Sequence, residues 1–484
     1  SNDLHFTVLE NSNVMQLDLF ENLTIDSVLY KGKACTYNRV YDAFFIDFPL
    51  GFDVGSQEKL SIYYNGTPIV AKNAPWDGGF VWDEDAEGLP WLGVACQGLG
   101  ASSWWPCKDH LSDEPDSMRV TVTVPDKVRF IGNGNLEKDL IKNKKRISTW
   151  KVSYPINTYN VSLNIANYAH IHDSYISESD TLALDYYVLS GNEDLAKSHF
   201  KQVQPMLSVY EKLFGPYPFW NDGYALVETS YLGMEHQSAI AYGNKYKSGY
   251  LGRYPGRMDF DFIVIHESGH EYWGNSVSMN DLADMWIHES FCTYTEALYV
   301  EQIYGYNSML EYLMYQKEFI DGSSPIYGVH GVNNKGNATD MYYKGSWMLH
   351  SIRNTLNNDS LWFSIIKDIA QNFALQNCDG SELIDFICDA AELDLKPIFN
   401  QFLAFANTPV LSYKFKKRGG QLKLFYKWIA QEDNFNMPLE INSRSDEKFR
   451  IFPNSNYQCI NLGNTDKTEV SFSENLFLFE KKED

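Results

Sequence analysis

The sequence predicts a multidomain α+β protein, with an N-terminal β-sheet domain, a mainly helical domain and a small C-terminal β-sandwich. Three observations lead there. The chain has 484 residues, too many for one ordinary core. Aromatic residues make up 15% of it, an enrichment that suits substantial sheet. The period of the apolar pattern also changes twice along its length.

Residues 1–175 read as β. Short alternating stretches recur, such as Phe44-Phe45-Ile46-Asp47-Phe48 and Val120-Thr121-Val122-Thr123-Val124, separated by turn clusters such as Gly132-Asn133-Gly134-Asn135. From about residue 190 the period becomes helical. Phe200, Val203, Leu207, Tyr210 and Phe214 share one face of a helix predicted over 193–214, with a kink or restart at Pro205. Further helices are predicted over 259–273, 284–304, 308–319, 344–356, 360–373 and 381–391. Sheet returns after about residue 405. Val410 to Phe415 and Leu422 to Ile429 flank Arg418-Gly419-Gly420 as a hairpin. The expected domains are therefore 1–175, 176–405 and 406–484.

Composition excludes several classes. A net charge of −23 argues against nucleic acid as a partner and would favour cationic ligands. No apolar run reaches the roughly 20 residues needed to span a bilayer. Seven cysteines in a large chain with no CxxC pair imply neither a disulfide framework nor a thiolate zinc site. Cys96 and Cys107 are the pair that an oxidising compartment could join. The chain begins Ser1-Asn2-Asp3, a processed or engineered start that leaves the compartment open. A removed signal peptide would place it in a periplasm or outside the cell. The five Asn-x-Ser/Thr sequons, among them Asn22-Leu23-Thr24 and Asn337-Ala338-Thr339, matter only in a eukaryotic secretory setting.

The chemistry lies in the helix predicted over 259–273. It contains His266-Glu267-Ser268-Gly269-His270. Two His four apart sit one turn apart on one face, so both rings reach a single ion. Chance would supply on the order of 0.01 to 0.02 copies of this pattern at this His and Glu content. Neutral imidazole is a good zinc ligand, and a catalytic site needs a third. Glu289 provides it, on the next helix after 18 intervening residues. Glu267, beside a ligand, is placed to take a proton from a zinc-bound water. Glu296 is seven residues after Glu289 on the same face. It is either a carboxylate orienting a ligand His or a solvated helix charge. His288, His170, His172 and His350 read as ordinary core or surface residues.

These motifs and their surroundings, His270-Glu271-Tyr272-Trp273-Gly274-Asn275 included, resemble the zinc aminopeptidase family that includes aminopeptidase N and leukotriene hydrolase, a gluzincin metallopeptidase family. The resemblance implies a thermolysin-like catalytic domain, one zinc ion per chain, and removal of single residues from peptides with a free amino terminus. The stretch Leu232-Gly233-Met234-Glu235-His236 resembles the family's Gly-x-Met-Glu-Asn motif, which makes Glu235 the partner of the substrate's α-ammonium. Gly233 and Met234 then belong to a strand that pairs with substrate backbone. Leu232 and His236 depart from the motif's Gly and Asn. In Met341-Tyr342-Tyr343-Lys344-Gly345 the resemblance makes Tyr342 the donor to the tetrahedral oxyanion, with Tyr343 where Glu is usual. Gln97, ahead of Trp105-Pro106-Cys107-Lys108-Asp109, matches a second amine-binding position.

Relative to longer members, the resemblance leads to the expectation that the chain enters the first β domain after its opening strands. It leads equally to the expectation that the large C-terminal helical domain is missing, with a more open cleft as the consequence. Three other functions share the motifs: an epoxide hydrolase, an endopeptidase and a catalytically silent binding protein. An intact base and ligand set argues against the last, and Glu235 argues against an endopeptidase.

Overall fold

The computed structural model describes residues 1–484 except 50, 178–179, 254, 333, 335, 337–338 and 444–447, so the sequon at Asn337 lies outside the described residues. The chain forms two compact units. The first comprises Ser1–Lys201 with Phe219–Tyr246, the second Gln202–Pro218 with Lys247–Asp484.

The first unit is built of sheets. At its start a four-stranded sheet runs in the order Asn2–Thr7, Gln57–Gly66, Leu23–Tyr30, Lys33–Ala34. A three-stranded sheet accompanies it, in the order Val14–Asp18, Ala43–Asp47, Tyr37–Val40. Apolar residues alternate inward along these strands and share one core, with Leu17, Phe44, Ile46, Leu60 and Ile62 fully buried. A bulge between Ile25 and Ser27 shifts the register, which turns Val28 rather than Ser27 toward that core. A second pair of sheets follows, packed around Phe130 and Trp150. Cys96 and Cys107 lie in one further buried cluster as free thiols.

The last sheet of this unit carries Gly233 and Met234. Its five strands run in the order Tyr168–Ile176, Thr181–Leu189, Tyr224–Glu228, Ile240–Tyr242, Gly233–Met234. The first two form an antiparallel hairpin. Tyr224–Glu228 pairs in parallel on both sides and is buried throughout, as expected of a strand covered on both faces. Gly233–Met234 is an edge strand, paired among the described residues with Ile240–Tyr242 alone.

The second unit carries most of the helices. The segment predicted as one helix over 193–214 divides into Glu193–His199, a 3₁₀ turn at Phe200–Gln202, and Val203–Phe214. Pro205 falls in the first turn of the restarted helix, where its missing N–H breaks no bond. The motif helix is shorter than predicted, Phe262–Gly269. Asp261 rather than Asp259 caps it, accepting from Ile263 N at 2.8 Å and Val264 N at 3.2 Å. Trp286–Tyr304 is buried on all faces over its first four turns, which places it at the centre of the helical layer. Around it stand Tyr306–Lys317, Tyr343–Leu356, Asp359–Asn372 and Gly380–Ala391. One helix, Lys396–Leu403, had no counterpart in the sequence reading. It is only eight residues long, and Pro397 in its first turn hides its start.

Gly345 lets Tyr343–Leu356 approach the central helix. A Cβ there would meet Ser290 Oγ at 1.9 Å. After residue 409 the chain forms the predicted hairpin, Val410–Arg418 with Gln421–Ile429, inside a four-stranded sheet. A three-stranded sheet completes the C-terminal β region, with Phe472 set against Tyr413 at 4.9 Å between ring centroids.

Candidate metal centre

The motif helix and the central helix bring three ligand atoms together. His266 Nε2 and His270 Nε2 are 3.3 Å apart. Glu289 Oε2 lies 3.6 Å from the first and 3.4 Å from the second. A tetrahedral zinc ion with bonds of about 2.0–2.1 Å has ligand–ligand edges of roughly 3.3 Å, so this triangle has the size of one face of that tetrahedron.

The protonation pattern points the same way. His266 Nδ1 is 2.6 Å from Glu296 Oε1, and His270 Nδ1 is 2.8 Å from the carbonyl of Trp273. Each Nδ1 therefore carries the proton and donates it. The two Nε2 lone pairs then face each other, an arrangement that only a cation stabilises. Glu289 Oε2 is buried and accepts no hydrogen bond. An orphaned buried carboxylate oxygen is costly unless an ion sits against it. The donor set of two imidazoles and one carboxylate fits zinc and leaves a fourth position for water or substrate.

Glu267 is buried next to His266 on the motif helix. Tyr342 stands at the head of helix Tyr343–Leu356 and donates to Glu289 Oε1 at 2.9 Å. Its position is braced by Ser290, whose hydroxyl donates to the Met341 carbonyl at 2.7 Å. Glu296, whose sequence context left two readings open, is not a solvated charge. It is buried, and its second oxygen accepts from Tyr312 at 2.6 Å and Gln316 at 3.3 Å. His288 points elsewhere, 3.1 Å from Ser278 Oγ, and burial with His270 nearby pushes its pKa down to about 3. Cys292, which the sequence did not single out, sits one turn beyond Glu289 and donates to the His266 carbonyl at 2.8 Å.

A second polar cluster forms within the first unit. Gln97 Nε2 donates to Glu235 Oε1, and the Tyr159 hydroxyl donates to the same oxygen at 3.1 Å. The two candidate amine-binding residues thus meet, and Tyr159 is an addition. It comes from a 3₁₀ turn, Thr158–Asn160, that leaves no periodic trace in the sequence. Gly233 and Met234 pair with Tyr242 and Ala241 on one side, and among the described residues no strand pairs with the outer edge. His236, where the family motif has Asn, is fully buried, and burial alone pushes its pKa down to about 3. It is a neutral imidazole at ordinary pH. The loop that follows is clamped by Asn133, which donates to the Gln237 carbonyl at 2.7 Å, and by Ser238, whose hydroxyl accepts from Gly134 N at 2.9 Å.

Fold and site together present a three-ligand centre able to hold a divalent metal ion. Residues 199–402 match the family model described as "Peptidase family M1 domain". Among curated relatives, it is 22% identical to a leucyl aminopeptidase of Saccharolobus solfataricus over 327 residues, which is 64% of this chain and 40% of that protein. The chain thus spans well under half of that relative's length. Among solved structures, an M1 zinc metallopeptidase mutant from Deinococcus radiodurans bound to a Tyr-Ser-Ala substrate matches with a TM-score of 0.70 at 18% identity, over 84% of this chain and 89% of that one. Legionella pneumophila aminopeptidase A, in complex with aspartic acid, matches with a TM-score of 0.79 at 14% identity, over 99% of this chain and 57% of that one. At these identities the likeness is one of fold. No helix among the described residues is long and apolar enough to cross a membrane.

Proposed function

We propose that the protein is a zinc-dependent aminopeptidase that hydrolyses the N-terminal residue from peptides with a free amino terminus. The observation that carries the reading is the triangle of His266 Nε2, His270 Nε2 and the orphaned Glu289 Oε2, with Glu267 next to the first ligand. His266, His270 and Glu289 would hold a zinc ion, which when bound would supply Lewis acidity and a more acidic water. Glu267 takes a proton from the attacking water and passes it to the leaving amine. Tyr342 turns its hydroxyl from Glu289 to the developing oxyanion, a contribution of roughly 3–4 kcal/mol in comparable sites. Glu296 holds His266 in the ligating tautomer.

Glu235 takes the α-ammonium, with Gln97 and Tyr159 fixing its carboxylate. Their convergence on one oxygen supports that role, because a carboxylate set by two donors recognises a single cationic group in a defined place. The Gly233–Met234 edge offers backbone groups to an extended peptide. The names of the relatives support an aminopeptidase, and the Tyr-Ser-Ala complex of the Deinococcus enzyme supports peptides as substrates. For the working chain we propose three functional domains, 1–175, 176–405 and 406–484.

The test is a panel of aminoacyl fluorogenic substrates, with free and with acetylated amino ends, with and without a zinc chelator. Chelator-sensitive cleavage of the free-amine forms alone supports the reading. Equal cleavage of acetylated forms would replace it with an endopeptidase.

A further inference from the structure

The sheet of the first unit holds another cluster of metal-binding side chains, which the sequence reading had passed over as ordinary surface histidines. His170 and His172 are two residues apart on strand Tyr168–Ile176, so their side chains leave the same face of the sheet. The hairpin register sets Asp185, on Thr181–Leu189, directly opposite His172. Tyr187 is opposite His170, and the two rings stack at 4.6 Å with 13° between their planes, which fixes the imidazole.

The geometry is convergent. His170 Nε2 is 2.6 Å and His172 Nδ1 is 2.9 Å from the same atom, Asp185 Oδ1. All three ligand atoms lie within 4.8 Å of one another. We propose that His170, His172 and Asp185 form a second divalent-metal site, which takes a borderline transition-metal ion such as zinc, copper(II) or nickel(II).

The donor set argues for that class. Two imidazoles and a carboxylate suit zinc, copper and nickel, whereas calcium and magnesium ask for oxygen alone. Seating an ion at 2.0–2.1 Å from each ligand requires the two N···O gaps to open to roughly 3.3 Å and the two ring nitrogens, at most 4.8 Å apart, to close toward the same spacing. These are side-chain adjustments on an exposed sheet surface, made by rotation about χ1 and χ2. The strands are already paired, so the metal pays no backbone ordering.

Access is open on one side and shaped on the other. The His172 side chain is 64% exposed and that of His170 38%. His170, Asp185 and Tyr187 also border a cavity of about 320 Å³, whose wall includes Asp139, paired with Arg146 at 3.1 Å, and Asp222. That space accommodates the waters that would complete the coordination shell. Because the hairpin joins the sheet whose far edge is Gly233–Met234, an ion here would clip the strand pair at one end of the sheet that carries the proposed substrate strand.

The experiment is equilibrium dialysis of the full chain against micromolar zinc, followed by metal counting, for the unaltered protein and for His172→Ala. His172 is mostly exposed, so its loss leaves the fold intact. The unaltered protein is expected to hold one zinc more per chain than the variant, and to gain thermal stability from that equivalent where the variant does not. The near-isosteric Asp185→Asn variant is expected to weaken the same equivalent about tenfold or more. The readout is a difference between proteins, so it stands whatever the first centre does. Equal metal content in the unaltered protein and His172→Ala would overturn the proposal.

Discussion

Glu296 accepts the Nδ1 proton of His266 at 2.6 Å, while its other oxygen is held by Tyr312 at 2.6 Å. The carboxylate is thus fixed at both ends, and through it the orientation of a ligand imidazole is fixed as well. Glu296→Ala should release that ring and leave the buried Tyr312 hydroxyl without its acceptor. Zinc affinity is expected to fall about 10–100-fold, read by competition with a chromogenic chelator. Glu296→Gln keeps an acceptor and should recover part of the loss. Unchanged affinity in the Ala variant would mean that Glu296 serves packing alone.

Glu267 and the ligands separate binding from chemistry. Glu267→Gln preserves size and removes the base. The variant should retain its zinc and lose about 10²–10⁴ in kcat, measured on the best free-amine substrate. A variant that loses zinc as well would point to Glu267 as a ligand rather than the base.

Tyr342 presents a different balance, because its hydroxyl is spent on Glu289 Oε1 before any substrate arrives. Tyr342→Phe should lower kcat by about 10²–10³ if the hydroxyl turns to the oxyanion. Zinc retention should change far less, since Glu289 Oε2 is the oxygen in the ligand triangle. A large loss of zinc with little loss of kcat would assign Tyr342 to holding Glu289 instead.

The parts of this site that could be read from sequence are those whose partners lie one helical turn away. His266 and His270 fall on one face by the period of the helix, and Glu296 follows Glu289 by two turns. Tyr159 could not be read, because a 3₁₀ turn between loops has no period and the chain holds 32 tyrosines. His170 and His172 are visible as a pair on one strand face. Their ligand partner Asp185 emerges only from the hairpin register. Fold class was legible from the switches of apolar period, while helix ends were not. Asp259 and Asp261 are equally good caps on paper, and only the backbone geometry at Asp261 selects one.

Lys344 follows the tyrosine pair and is buried, its ammonium donating to the carbonyls of Phe405 at 2.6 Å and Ala406 at 2.9 Å. Burial, opposed in part by Asp340, brings its pKa down to about 8. The unfolded chain keeps that proton up to about pH 10.4. Between those values the unfolded state binds more protons than the folded one, so this group makes stability rise with pH, by at most about 1.4 kcal/mol per unit. Lys344→Met removes the group. Denaturant melts at pH 7.5 and 9.5 should therefore show a gain for the unaltered protein relative to the variant. Parallel pH profiles would mean that the two carbonyls keep the ammonium charged throughout.

Tyr159 offers the most direct test of the amine-binding cluster, because it touches Glu235 and belongs to no sequence motif. Its hydroxyl donates at 3.1 Å to the oxygen that also receives Gln97. Removing it as Tyr159→Phe leaves the ring in its buried place beside Cys96 and Trp105. The carboxylate keeps its charge and one donor, so recognition of the α-ammonium should weaken rather than vanish. A hydrogen bond of roughly 1 kcal/mol corresponds to about a fivefold change. KM for free-amine substrates is expected to rise by about that factor, with zinc content unchanged. Gln97→Ala should act in the same direction, and the double variant should fall short of the product of the two, because both donors serve one oxygen. If both variants left KM unaltered and lowered only thermal stability, the cluster would be a structural tie between loops, and the α-ammonium would have to be bound elsewhere.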